Sequence, residues 1–252
     1  MRNNKWMQYK VLLAIALFAA LIVYIFHEAP LRTAPQNEPM SHGQIYLYGE
    51  KHGKENVIEK EYELWFEYYH NEDMRHLFLE MPYYTAEFLN IWMKEDTDEI
   101  FDATFLDASG AAADNPYTKE FYHKIKKECP DTIFHGTDVG HQYETTGERY
   151  LKYLKEHNMQ DSEQYEMALK CIEQGKIFYK DYDSAYRENK MAENFMDAFD
   201  KLNGESIMGI YGAGHMRRNT MDSSGTVPRM IDQVKEYYGD IVHVEMLTRI
   251  HG

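Results

Sequence analysis

Residues 44–53 read QIYLYGEKHG, a short apolar run that stops at a glycine and hands over to Glu50, Lys51 and His52. Short apolar runs closed by turn residues are the mark of buried strands. The pattern recurs down the chain. Residues 76–81 (HLFLEM) end on Glu80 and are closed by Pro82, and residues 132–135 run into Gly136, Thr137 and Asp138. Residues 206–211 (SIMGIY) open into Gly212-Ala213-Gly214-His215, and residues 241–247 (IVHVEML) form a last run. Between these lie stretches of helical spacing. In 55–69 the apolar residues Val57, Ile58, Tyr62, Trp65, Phe66 and Tyr69 recur on one face, and further helices are expected over 84–94, 98–106, 117–127 and 227–238. A helical region over 148–203 is broken near 158–160 and near Tyr182, and 108–116 (ASGAAADNP) reads as a loop of small residues. Strands alternating with helices require crossover connections. The predicted fold is therefore α/β, with a mainly parallel central sheet flanked by helices.

That topology has a chemical consequence. In an open parallel sheet all the carboxyl ends lie on one edge, and the crevice there is the usual ligand site. Glu50 and His52 follow the first strand, Glu80 ends the second, Asp138 follows the third and His215 the fourth. Two imidazoles with two or three carboxylates suit a divalent metal with an open position for water, held through Glu50, His52, Asp138 and His215. They equally suit a metal-free acid/base pair, one carboxylate being raised by its like-charged neighbours. Arg187 adds a further element, because on a helix over 184–202 it shares a face with Met191, Phe195, Ala198 and Leu202. A guanidinium on an apolar face requires an anionic partner, and Glu80, Asp138 or a substrate anion are the candidates. Taken singly, a strand-end Asp is as often a turn or cap residue, and an Arg–carboxylate pair as often structural. The joint placement on one sheet edge is what favours function. His135 and His141 flank Asp138 and carry a weaker claim.

Composition sets the outer limits. With 252 residues and a formal net charge of −15, the chain lacks the basic footprint that a nucleic-acid backbone demands. Its two cysteines, Cys129 and Cys171, make no disulfide scaffold and no cysteine-rich metal knuckle. At the amino terminus, Arg2, Lys5 and Lys10 precede the unbroken apolar run 11–26 (VLLAIALFAALIVYIF). A positive flank before an apolar stretch is read as a transmembrane signal anchor, cytoplasm-in, with the domain on the extracytoplasmic side of the cell membrane. Cleavage near Ala29 or Ala34, with secretion, is the alternative. The expected organisation is a cytoplasmic flank (1–10), an N-terminal transmembrane helix (11–26), a proline-bearing linker (27–43) and a single α/β domain (44–252).

Five segments carry a resemblance to a known family: IYLYGEKHG (45–53), LFLEMP (77–82), HGTD (135–138), YRENKMAENF (186–195) and MGIYGAGHM (208–216). In this order and spacing they resemble the erythromycin-esterase, ChaN-like and Tiki/TraB superfamily. The resemblance implies an α/β fold with its site at the carboxyl edge of the sheet. By likeness to erythromycin esterases, Glu80 is the general base assisted by His52, with Arg187 and His215 stabilising charge. By likeness to Tiki proteins, His52 and His215 in paired Gly-x-x-His motifs are metal ligands of a membrane-anchored protease. By likeness to ChaN, the chain binds haem or another iron ligand without turnover. The sequence departs from the family in Glu188, where relatives carry Asp, and in lacking a lipobox cysteine. The leading expectation is a membrane-anchored extracytoplasmic hydrolase of a small-molecule or peptide substrate. Its site comprises Glu50, His52, Glu80, Asp138, Arg187 and His215.

Overall fold

A computed structural model describes residues 43–247, so the expected flank, anchor and nearly all of the linker lie outside the described residues. Five strands, β1 (Ile45–Glu50), β2 (His76–Pro82), β3 (Ile133–Asp138), β4 (Ile207–Gly212) and β5 (Val242–Met246), form one parallel sheet in the order β3-β2-β4-β1-β5. Each matches an apolar run of the sequence to within a few residues. The central strand β4 is buried at every position and pairs with both β1 (Ile45 with Ile207, Glu50 with Gly212) and β2 (His76 with Ile207, Leu79 with Ile210). Of the strands consecutive in sequence only β2 and β3 are therefore neighbours in the sheet. The chain passes from β1 to β2 and β3, then returns to place β4 between them.

Side-chain alternation divides the core into two layers. Tyr48, Leu77, Leu79, Phe134, Met208 and Ile210 face α1 (Glu55–Asn71), α2 (Tyr83–Trp92), α3 (Glu99–Asp107) and α4 (Pro116–Glu128). Trp65, Trp92 and Phe101 are fully buried in that layer. Ile45, Leu47, Phe78, Ile207 and Tyr211 face α7 (Ser184–Phe199) and α8 (Met230–Tyr238). A third cluster, built on Tyr84, Phe88, Tyr150, Leu154 and Ile172, packs α2 against α5 (Glu148–Glu156) and α6 (Glu163–Asp181). Cys129 and Cys171 are buried free thiols in different clusters. Among the described residues no helix is long and apolar enough to cross a membrane.

Local chemistry fixes the helix ends. Asn115 caps α4 through the Thr118 amide ahead of Pro116, and Asp183 caps α7 through the Tyr186 amide. Tyr182, left-handed at φ 53°, makes the break between α6 and α7 that the sequence places there. The last helix begins three residues later than its pattern suggests. Pro228 and a loop folded around Asp222, whose carboxylate accepts from the Ser224, Thr226 and Val227 amides, occupy its expected start. One element has no signal in the sequence, a π turn over Tyr143–Gly147 that follows Gln142 at φ 49°. It sits where the segment after β3 lies directly on α6. A Cβ on Gly175 would fall 2.0 Å from the Gly140 carbonyl oxygen, so the two backbones touch. That contact sets His141 and Gln142 at the carboxyl edge of the sheet.

Candidate active site

At that edge Arg187 reaches inward from α7 and ties two strands together. Its Nε donates to Asp138 Oδ1 (3.0 Å), and its Nη2 donates to Asp138 Oδ2 (2.5 Å) and Glu80 Oε1 (2.7 Å). The guanidinium that the helix pattern left in search of a partner thus finds both strand-end carboxylates. Glu80 stands in a bulge, where the β2–β3 register shifts between Leu79 and Pro82. Its Oε2 accepts the Gly212 amide at 2.5 Å, and its Oε1 also lies 3.3 Å from His215 Nε2. Burial alone would raise Glu80, but His215 and Arg187 outweigh it and hold the carboxyl down to about 2. Asp138 is held well below the ordinary carboxylate range for the same reason, with Arg187 and His141 overriding its burial. Arg187 is correspondingly raised by the two anions.

His52 stands in the turn after β1, its side chain 43% exposed, with Nδ1 2.7 Å from Glu50 Oε1. An ionised carboxylate only accepts, so Nδ1 carries the proton and Nε2 presents its lone pair. That Nε2 lies 4.0 Å from Glu80 Oε2, beyond hydrogen-bond distance. The hydrogen bond to Glu50 raises the affinity of His52 for its proton against the cost of desolvation. Gly212 permits this approach, since a Cβ there would fall 2.7 Å from His52 Nε2 and 3.0 Å from Glu80 Oε2.

His215 takes a different place from the one its motif suggests. It lies behind Glu80, its side chain 13% exposed, with Nδ1 2.9 Å from Glu188 Oε1 and Nε2 turned to Glu80. Desolvation opposes the imidazolium, but Glu188 and Glu80 prevail and raise His215 to about 9. Glu188 also accepts from Arg229 Nη1 (2.7 Å) and the Met230 amide (2.8 Å). Glu188 therefore anchors the start of α8 as well as His215.

A cavity of about 350 Å3 opens on the edge, a size suited to a small molecule. Glu50, His52, Glu80, Asp138 and Arg187 line it; His215 and Glu188 do not. At one end stand His141 and Tyr179, with His141 Nε2 2.9 Å from Asp138 Oδ2 and its Nδ1 2.5 Å from the Tyr179 hydroxyl. At the other end the walls are apolar, from Ile58, Leu79, Phe105, Phe121 and Tyr122, and the small-residue loop supplies Ala108 and Ala111–Ala113 to the rim. Within that apolar end is a residue that the sequence reading did not single out. Glu61, on α1, is 4% exposed, and its Oε1 meets no hydrogen-bond partner. Burial, then the charge of Glu50 and hydrogen bonding with it, push Glu61 up to about 10. The signal was available, because Glu61 interrupts the buried stripe Val57, Ile58, Trp65, Tyr69.

The donor set does not assemble into a metal centre. Both nitrogens of His215 and both oxygens of Glu80 and of Asp138 face protein partners, and the Arg187 cation sits between the two carboxylates. His52 Nε2 remains, while Glu50 is shared between His52 and a hydrogen bond with Glu61, too few free donors for a three-ligand zinc-type site. Among the described residues no group of three His, Cys, Asp or Glu is arranged to hold a metal ion. A haem iron would find only His52 Nε2 as an uncommitted imidazole ligand in the pocket.

Two solved structures share the architecture. A Bacillus cereus protein superposes with a TM-score of 0.56 at 14% identity, over 82% of this chain and 66% of its own. A mutant erythromycin esterase in its open conformation superposes with a TM-score of 0.56 at 10% identity, over 82% of this chain and 70% of its own. The chain thus spans about two thirds of the length of either. No family model matches the sequence, and no curated protein matches it. Of the resemblance carried by the five motifs, these structures bear out the erythromycin-esterase part at the level of fold: the chain has an erythromycin-esterase-like α/β fold with a parallel five-stranded sheet.

Proposed function

We propose that the pocket hydrolyses an ester or lactone of a small molecule by metal-free general-base catalysis, with His52 as the base. The observation that carries this reading is the Glu50–His52 pair, which fixes one tautomer and leaves Nε2 facing a cavity that also holds Arg187. Glu50 accepts a hydrogen bond from Nδ1–H and stabilises the imidazolium that forms when Nε2 takes a proton from water. The resulting hydroxide adds to the carbonyl carbon. Charge developing on the carbonyl oxygen is met by Arg187, whose Nη1 donates to none of the described residues. The imidazolium then returns its proton to the departing alkoxide.

Glu80 serves differently from the sequence expectation. With Arg187, the Gly212 amide and His215 on its oxygens, it is a weak base and acts by positioning the cation. His215 supports Glu80 from behind. The cavity's size favours a small molecule over a peptide, and the likeness in fold to an erythromycin esterase supports a hydrolase. The apolar run 11–26 would anchor this domain to the extracytoplasmic face of the cell membrane.

The test is turnover of a panel of p-nitrophenyl esters and lactones by the full chain, with and without chelator. His52→Ala should lower kcat by about 10²–10⁴-fold at an unchanged thermal midpoint, and chelator should have no effect. Because Glu50 raises His52, activity should climb with pH as the ring loses its proton, and Glu50→Gln should move that limb to lower pH. Full turnover in His52→Ala would sink the mechanism.

A further inference from the structure

We infer that the inner, apolar end of the pocket is a binding subsite for a protonated amine, with Glu61 as its counter-ion. Among the described residues only two buried side-chain polar atoms lack a hydrogen-bond partner, Glu61 Oε1 and Arg229 Nε. Arg229 is already tied to Glu188 and does not line the cavity. Glu61 does line it, is 4% exposed, and has no cation beside it among the described residues. The other buried carboxylates of the site each have one: Arg187 for Asp138 and Glu80, Arg229 for Glu188. A carboxyl oxygen left unmatched on an otherwise apolar helix face is costly unless a ligand completes it.

The surroundings select the ligand. Glu50 on β1 and Tyr122 on α4 are the titratable groups that face Glu61, and Glu50 already holds His52. A ligand anion would meet two carboxyl groups. A metal ion would find two donor side chains where a stable site needs three or more. An apolar ligand would leave Oε1 unmatched. An alkyl- or arylalkylammonium answers both needs, donating N–H to Glu61 and Glu50 while its carbon skeleton lies against Phe105 and Phe121. The proton balance is explicit. Empty, the Glu61 carboxyl keeps its proton through burial and the nearby charge of Glu50. When R–NH3+ binds, that proton leaves to solvent, one for each amine bound.

The subsite rests on the pocket being the substrate site of the hydrolase reading, and it narrows the substrate to an ester or lactone carrying a basic amine. The test needs no turnover, so its failure is distinct from failure of the hydrolysis mechanism. Benzylamine and its neutral counterpart benzyl alcohol are titrated calorimetrically into the full chain, at pH 6 and pH 7 and in buffers of different ionisation enthalpy. We expect one proton released per benzylamine, about tenfold tighter binding at pH 7 than at pH 6 from that release, and at least tenfold weaker binding of benzyl alcohol. Glu61→Gln and Glu61→Leu should abolish the proton release and the preference for the amine. Absent benzylamine binding, equal affinity for the alcohol, or proton release that persists in both variants would overturn the proposal.

Discussion

Asp138 and Glu61 are both buried carboxyl groups at the carboxyl edge of one sheet, 1% and 4% exposed, and they settle in opposite states. Asp138 ends β3 with the Arg187 guanidinium across both its oxygens and His141 beside it, and it stays ionised. Glu61 projects from α1 toward Glu50 with no cation at hand among the described residues, and it keeps its proton. Equal burial therefore decides nothing by itself. Desolvation pushes both groups toward neutrality, and only the one with a hydrogen-bonded cation resists it. The pocket is in this way polarised, with a fixed ion cluster at one end and an adaptable neutral carboxyl at the other.

The contrast is broken most directly at Arg187. Arg187→Met leaves Asp138 and Glu80 buried without their cation, and it should cost about 3–5 kcal/mol by urea denaturation at pH 7. The wild type should lose stability as pH falls. Glu80 lies at about 2 when folded against an ordinary 4.5, so its contribution is complete above 4.5 and fades toward 2. In Arg187→Met this acid loss should be smaller. A variant as stable as wild type at pH 7 would mean that the ion cluster is not what separates the two ends.

An effect of opposite sign is expected at Glu61. Its folded value of about 10 lies above the ordinary 4.5, so folding is favoured below 4.5 and disfavoured progressively as pH rises toward 10. Glu61→Leu should therefore stabilise the chain by roughly 2 kcal/mol at pH 7, a gain that shrinks as pH approaches 4. A thermal midpoint that falls at pH 7 would show that the carboxyl is satisfied after all. The smallest effect sharpens the other end. Tyr179→Phe removes the phenol from His141 and should cost about 1 kcal/mol, because Arg187 still holds Asp138 when His141 loosens.

How far the sequence discloses all this follows from which forces are local. Four strands are legible because their apolar runs close at a glycine or proline, the fifth from its apolar run alone, and the helix break at Tyr182 lies where its pattern fails. The π turn at Tyr143–Gly147 is not legible, since QYETTG has no periodicity and its shape comes from Gly140 pressing on Gly175. The strand-end argument places Glu50, Glu80 and Asp138 on one edge, and the apolar-face argument gives Arg187 its partners. The same argument applied to α1 would have found Glu61 between Ile58 and Trp65. What no spacing reveals is that His215 turns away from the cavity, because that depends on Glu188 and on the packing of α8 against α7.

The position of β4 bears on how the chain becomes a protein at all. A nascent chain that stops short of Ile207 has β2 beside β3 and β1 with neither neighbour, because both strands that flank β1 come later. The two halves are joined only when the fourth strand slides between them and brings the Gly212 amide to Glu80. Folding of the sheet thus waits for β4, and its decisive contacts span long stretches of sequence, which makes assembly slow and late. A fragment ending before residue 207 should be digested by protease as readily as an unfolded chain. Synthesis therefore passes through a long interval in which the pocket is incomplete, and the arrival of β4 decides whether it closes.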